Sequence, residues 1–351
     1  MLDCLVVGSG LAGIAFCEVL QQQQQTFTII ANKSQRASLV AGGLYNPVIL
    51  KRFTLAWKAD EQLEQAIPFY KGLEKRLGVQ IDHKIPVLRR FASIEEQNQW
   101  FEAIDRPGLQ PFLSQTMLQN TNPNIDAPYG LGLVRHTGRI DIQTLLRHYT
   151  KYLSSLGRFT VDDFDFKRLQ IFKDHVRYKA VEARKVVFAM GYGLKSDPFF
   201  NYLPLTGTKG ELLTINAPGL HEKSVVKSSV FIIPLGNDKY RVGATYKWKD
   251  KLNHPTDIAK KELLEKLKTF LKCDFEINDH VAGIRPTVTD RRPLVGQHPK
   301  FENLYVLNGF GSRGVLIAPY ASRQLFDFIA NGTGIDPEMD IGRFTKKYYD
   351  D

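Results

Sequence analysis

A short apolar run, Leu2 and Cys4 to Val7, opens the chain. It is broken by Gly8-Ser9-Gly10-Leu11-Ala12-Gly13 and resumes from Ile14 to Leu20 with the three-to-four-residue spacing of a helix. This pattern predicts strand, glycine turn, helix. Past the glutamine run Gln21–Gln25, Phe27-Thr28-Ile29-Ile30 predicts a second strand. Trp57, Leu63, Ile67, Tyr70, Leu73 and Leu77 recur at helical spacing, which predicts a helix over about 56–77 that stops near Gly78. The stretch Pro86–Phe91 alternates like a strand, Ile94–Ala103 reads as a helix, and the Pro/Asn-rich region from Arg106 to Tyr129 predicts long loops.

Further on, Asp141 is placed to cap an amphipathic helix running through Tyr152. Residues 159–180 read as short strands, and Lys185–Gly193 as a buried strand entering a glycine turn. Three β-like runs lie between Lys209 and Lys247, followed by a charged helix over about 256–272. Leu304–Asn308 is again a strand, followed by the glycine turn Gly309–Gly314 and a helix from about Ala318 to Ile329. Strand, glycine turn and helix therefore recur at both ends of the chain. The fold class this implies is α/β: a discontinuous Rossmann-like nucleotide domain with a second, β-sheet-rich domain built from the insertions.

In the first turn each glycine has its own reason. Gly8 makes the tight turn, Gly10 lets the backbone approach a diphosphate, and Gly13 allows the helix to pack closely on the strand. Leu11 and Ala12 then open a helix whose free N–H groups and partial positive charge favour a phosphate. A ribose-binding acid is expected at the end of the second strand, but the chain has Ala31-Asn32 there. Ribose contacts would then fall to Asn32, Lys33 or the backbone. The loop containing Gly42, Gly43, Leu44 and Tyr45 is too apolar for a surface linker and is expected to line a buried ligand.

Composition narrows the alternatives. Hydrophobic residues make up 43% and charged residues 24% of the 351, which excludes a disordered, collagen-like or disulfide-scaffold chain. The net charge of +10 is uneven, with +6 in residues 135–205 and +3 in 206–280. That favours an anionic partner: nucleic acid, an acidic membrane surface or a carboxylate substrate. No uncharged apolar stretch reaches about 18 residues, so no transmembrane segment is expected. Cys4, Cys17 and Cys273 form no CxxC or metal pattern, which fits a reducing, cytoplasmic setting with buried thiols. The eight histidines show no ligand spacing, and no metal is expected.

The ordered blocks GSGLAG, TGRID, KVVFAMGYG, LTGTKGELLTI, FIIPLGNDKYRVGATY, AGIRPTVTDRRPLVGQHP and NLYVLNGFGSRGVLIAP resemble the D-amino-acid-oxidase-like superfamily of FAD-dependent oxidoreductases. That superfamily includes the glycine and sarcosine oxidases. Within it, GGLYNPV and GSRG…AP are most similar to the oxidase half of the bifunctional enzyme that completes the methylaminomethyl group of the tRNA wobble uridine. The resemblance implies non-covalent FAD bound by residues 1–78, 135–205 and 281–351, and a substrate-binding domain from 79–134 and 206–280. It also implies oxidation of a carbon–nitrogen bond in a small amine or amino acid, by hydride transfer to flavin N5. The alternative it leaves open is a tRNA wobble-uridine oxidase or a tRNA-binding module.

By the same resemblance, Arg285 in AGIRPT and Arg313 in GSRG align with carboxylate-binding arginines, a task suited to a guanidinium's two parallel N–H groups. Tyr246 and Tyr45 are candidates to close over the substrate. Met190, Gly191, Gly309, Gly311, Ser312, Arg313, Gly314 and Val315 complete the expected cofactor contacts. The last helix, starting after Pro319, is expected to direct its N-terminus toward an electron-rich edge of the flavin.

Overall fold

The computed structural model describes residues 1–32, 34 and 37–350. From the N-terminus run β1 (Leu2–Val7), α1 (Leu11–Gln22), β2 (Phe27–Ala31), the single turn α2 (Ala37–Val40), β3 (Leu44–Tyr45), β4 (Val48–Ile49) and β5 (Thr54–Leu55). Then come α3 (Ala59–Leu77), β6 (Asp82–His83), β7 (Val87–Arg90), α4 (Ile94–Ile104), β8 (Leu113–Leu118), β9 (Leu131–Val134), β10 (Gly138–Ile140) and α5 (Ile142–Ser155). Next are β11 (Phe159–Val161), β12 (Leu169–Ile171), β13 (Val176–Tyr178), β14 (Val181–Phe188), β15 (Thr208–Asn216), β16 (Val225–Lys227), β17 (Phe231–Gly236) and β18 (Lys239–Gly243). The chain finishes with α6 (Asp257–Lys268), β19 (Glu276–Arg285), β20 (Leu294–Gln297), β21 (Leu304–Asn308), α7 (Gly314–Asn331) and α8 (Thr345–Asp350).

The centre of the first large sheet is parallel: β1 pairs with β2 on one side and β14 on the other, with β11 beyond β2 and β21 beyond β14. Parallel strands covered on both faces must be apolar along their length, which the opening run supplies. Alternate residues then face opposite cores. Cys4 and Val6 join α1, α3, α5 and α7 on one side, while Leu5 and Val7 join Val186, Phe188 and Val306 on the other.

The second large sheet runs β19-β15-β18-β17-β16-β7-β9-β8 and is antiparallel except between β16 and β7. β19 is one unbroken strand from Glu276 to Arg285, so it carries the second sheet through the domain division expected at 280/281. The sheets meet where α2 rests on β19. A Cβ on Gly283 would lie 3.3 Å from Cβ of Val40.

Three expectations need correction. The region 106–129 contains β8, and 209–247 contains four strands rather than three. The helix after the second glycine turn, α7, begins at Gly314, not after Pro319, which sits inside it. Pro319 has no N–H to give the Val315 carbonyl four residues back. Tyr70 Oη from α3 donates to that carbonyl instead, at 2.7 Å, so the helix continues past the proline. Among the described residues no helix is long and apolar enough to cross a membrane.

Candidate functional site

A cavity of about 1110 Å³ extends from the glycine turn after β1 to the inner face of the second sheet. Ordinary small-molecule pockets span roughly 300–1,000 Å³, so there is room here for a large ligand and a small one together. At the first-sheet end its wall includes Gly8, Gly10, Leu11, Ala12, Asn32, Met190 and Gly191. Gly42, Gly43, Leu44, Gly311, Ser312, Gly314 and Val315 also line it. At the second-sheet end stand Gly210, Leu212, Phe231, Ile233, Ala244 and Arg285. Of the other expected residues, Gly13 and Gly309 are behind the wall, and Lys33 lies outside the described residues.

The first-sheet end is made mostly of backbone. Gly8 holds φ +106°, and a Cβ on Gly13 would sit 1.8 Å from the Gly8 carbonyl oxygen, so the helix rests directly on the turn. Gly10 is different: the nearest protein atom to its missing Cβ is the Ser38 hydroxyl at 3.3 Å, and the space beside it belongs to the cavity. The Leu11 N–H donates to Ser38 Oγ at 3.1 Å. Both α1 and α7 begin on the cavity, so two positive helix ends face it.

Asn32 reaches the wall, but its side chain is engaged. Nδ2 donates to Asp163 Oδ1 at 2.5 Å, and Oδ1 accepts from the Ser34 N–H at 3.0 Å. Sequence reading missed the reason. β11 lies parallel to β2 with Val161 opposite Ala31, so Asp162 and Asp163 arrive beside Asn32 and line the cavity. The signal was an Asp-Asp pair directly after a short strand, 130 residues downstream of the position where an acid was sought.

At the other end Arg285 lies over Gly210, whose missing Cβ would meet the guanidinium at 2.0 Å. No carboxylate pairs with Arg285 among the described residues; its Nη1 donates weakly to the Thr245 carbonyl at 3.4 Å. Burial pulls its pKa down, with the Tyr246 hydroxyl as the opposing influence. Tyr246 is 42% exposed and does not line the cavity. Its ring backs the guanidinium at 5.3 Å and meets Trp248 edge-on.

Arg313 is not on the cavity wall. Its Nη1 donates to the Asn46 carbonyl at 2.9 Å, tying the start of α7 to the early loop, and burial lowers its pKa to about 10. The structure therefore separates the two arginines. Tyr45 is buried in packing: its hydroxyl donates to Asp82 Oδ1 at 2.9 Å and accepts from Lys84 Nζ at 2.8 Å. Among the described residues no cluster of three or more His, Cys, Asp or Glu could hold a metal.

Asp162 and Asp163 are the only carboxylates lining the cavity among the described residues, and both are at the first-sheet end. Among the described residues the second-sheet end offers a fixed positive charge in an apolar surround and no carboxylate to accept a proton. This arrangement fits a flavin dinucleotide: helix N-termini and an open glycine for the diphosphate, and a wide apolar chamber beyond for a ring and a substrate.

A family model described as DAO, FAD dependent oxidoreductase, matches residues 3–327. Glycine oxidase of Bacillus subtilis (strain 168) is 23% identical over 350 residues, covering 94% of this chain and 93% of that protein. The tRNA 5-methylaminomethyl-2-thiouridine biosynthesis bifunctional protein MnmC of Burkholderia mallei (strain SAVP1) is 25% identical over 363 residues, covering 90% of this chain. The chain spans 54% of that bifunctional protein's length. Among solved structures, glycine oxidase from Geobacillus kaustophilus superposes with a TM-score of 0.78 at 18% identity, covering 98% of this chain and 97% of that one.

Proposed function

The chain belongs to the DAO family of FAD-dependent oxidoreductases, and from that premise we propose that it oxidises the carbon–nitrogen bond of a small amine or amino acid bearing a carboxylate. One observation carries the carboxylate preference: Arg285 sits on the cavity wall as a guanidinium without a carboxylate partner among the described residues. Bound FAD supplies a two-electron acceptor for the hydride on the carbon beside the amine.

The chain's own residues do the rest. Arg285 holds the carboxylate through paired N–H groups, and Tyr246 behind it fixes the guanidinium by a cation–π contact. Leu212, Phe231 and Ile233 keep that chamber apolar, which strengthens the ion pair and fixes the carbon to be oxidised. With no carboxylate among the described residues at this end to take a proton, the amine reacts in its neutral form, having lost its proton to water. Its lone pair becomes the second bond of the imine as the hydride leaves, and water hydrolyses the imine afterwards. At the other end the Gly8–Ala12 turn and the starts of α1 and α7 hold the diphosphate, and Asp163 with Asn32 serves the ribose.

The test is anaerobic titration of the FAD-loaded protein with glycine, sarcosine and D-amino acids, each against its decarboxylated counterpart, following flavin absorbance. Bleaching by a carboxylate-bearing amine, with a much weaker response to its counterpart, is expected. Equal bleaching by both, or none by any amine, would overturn the reading.

The MnmC similarity supports a second reading, in which the amine is a carboxymethylaminomethyl group on a tRNA wobble uridine and the basic middle of the chain meets the RNA. Salt-sensitive binding of hypomodified tRNA, with flavin bleaching, would favour it; absence of binding at low salt would remove it.

A further inference from the structure

A second, smaller cavity of about 220 Å³ adjoins the first and shares Ala41, Gly42, Ile142, Gln143 and Arg147 with its wall. Arg139, Arg241 and Arg147 line it against a single carboxylate, Asp141. Arg241 is 9% exposed, yet its Nη1 has no hydrogen-bond partner among the described residues. Among the described residues Arg139 Nε is buried and unpartnered as well, and Arg139 Nη2 pairs with Asp141 at 3.7 Å. Burial works against the charge on both side chains; Asp279 supports that on Arg241, and Arg139 repels it. A buried guanidinium N–H without an acceptor destabilises a fold unless something compensates it. The first turn of α5, capped by Asp141, also stands on this wall with Ile142, Gln143 and Thr144.

The strand register fixes where this pocket lies relative to the reaction chamber. Arg241 of β18 is directly opposite Ile233 of β17, so the two side chains stand on one face of the sheet. Directly opposed residues are about 5 Å apart. Ile233 belongs to the first cavity and Arg241 to the second, with Gly42 lying over Ile233 between them. A ligand held in the chamber therefore has a positive pocket one strand spacing away.

We propose that this pocket takes a second oxyanion, a carboxylate or phosphate carried by the amine substrate on the side away from Arg285, so that the preferred substrate is dianionic. The proposal rests on the amine-oxidation reading above. A small recess whose central arginine is nine-tenths buried suits a compact anion, whereas an RNA backbone requires an exposed basic stripe.

Two measurements on the FAD-loaded enzyme decide it. The first needs no turnover: calorimetric binding of inorganic phosphate to the wild type, Arg241→Met, Arg241→Lys and Arg285→Met. Binding is expected to weaken at least about tenfold in Arg241→Met, to be partly restored in Arg241→Lys, and to persist in Arg285→Met. The second compares kcat/KM for sarcosine with that for N-(carboxyalkyl)glycines having tethers of two to four methylenes. The wild type should favour one tether length by about tenfold or more, and the ratio should fall toward one in Arg241→Met. Phosphate binding equal in wild type and Arg241→Met overturns the pocket. Phosphate binding without any gain for dianionic amines overturns the substrate assignment and leaves a free-anion site. Binding of tRNA that depends on Arg241, with none of phosphate, overturns it in favour of RNA. Failure of every amine to bleach the flavin sinks the amine-oxidation reading instead, while phosphate binding still decides the pocket.

Discussion

The two ends of the main cavity are built from different materials. At the first-sheet end the recognition surface is backbone: a glycine turn, the starts of α1 and α7, and strand ends. At the second-sheet end it is side chains, with Arg285, Phe231, Ile233 and Leu212 projecting from three strands and held by sheet register. Backbone recognition depends on what cannot be added to the chain, because a Cβ on Gly8 or Gly13 meets a backbone carbonyl. Side-chain recognition depends on what cannot be removed. The first kind suits a cofactor shared by many enzymes, and the second suits a substrate that differs among them.

The sharpest way to break that contrast is within the turn itself. In Gly13→Ala the new Cβ would lie 1.8 Å from the Gly8 carbonyl oxygen, and a backbone atom cannot rotate away as a side-chain tip can. Overpacking of this kind costs about 1–3 kcal/mol or more, and it also displaces the turn proposed to face the diphosphate. The protein is expected to be isolated without flavin and with a lowered melting temperature. Gly10→Ala meets only the Ser38 hydroxyl at 3.3 Å, so the fold should hold while FAD affinity falls. Flavin retention together with thermal melting separates the two. Full flavin occupancy in Gly13→Ala would mean that backbone shape is not what holds this end.

At the side-chain end the contrast is sharpened by treating the two arginines alike. Arg285→Met removes a buried charge from the cavity wall, which costs about 3 kcal/mol, or on the order of 100-fold in kcat/KM for a carboxylate-bearing amine, with FAD still bound. Arg313→Met removes a charge-assisted bond to the Asn46 carbonyl, worth about 1.5–3 kcal/mol, and should appear first as lost stability of the joint between α7 and the early loop. Steady-state kinetics alongside melting curves distinguishes these outcomes. A kinetic loss in Arg313→Met equal to that in Arg285→Met, at unchanged melting temperature, would place both arginines on the substrate.

The same division explains what could be read before the fold was known. The glycine turn, the strand before it and the helix after it are contiguous, so local spacing specified them, and Asp141 was legible as a cap because its acceptor role toward Thr144 N–H is also local. Arg285 and Arg313 were legible as types but not as partners. Arg313 turns from the wall toward a carbonyl 267 positions away, a contact no spacing rule contains. The start of α7 was misplaced because Pro319 normally marks a boundary, and the compensating Tyr70 hydroxyl comes from another helix. Gly210, whose role is to leave room for the Arg285 guanidinium, gave no signal in its own neighbourhood.

The smallest effect tests the one place where the two materials mix. Asp163 is a side chain at the backbone-built end, brought beside Asn32 by the parallel pairing of β11 with β2. If the dinucleotide is held mainly by backbone, losing this carboxylate should matter only modestly. Asp163→Ala removes one acceptor and releases the Asn32 amide, which then becomes free to turn toward the cavity and compensate in part. A net loss of about 1 kcal/mol follows, or roughly a fivefold rise in the FAD dissociation constant. Fluorescence titration of the apoprotein with FAD measures it, with Asp163→Asn as the variant that keeps an acceptor without the charge. A loss of a hundredfold or more would put the ribose contact on a par with the glycine turn and erase the distinction between the two ends.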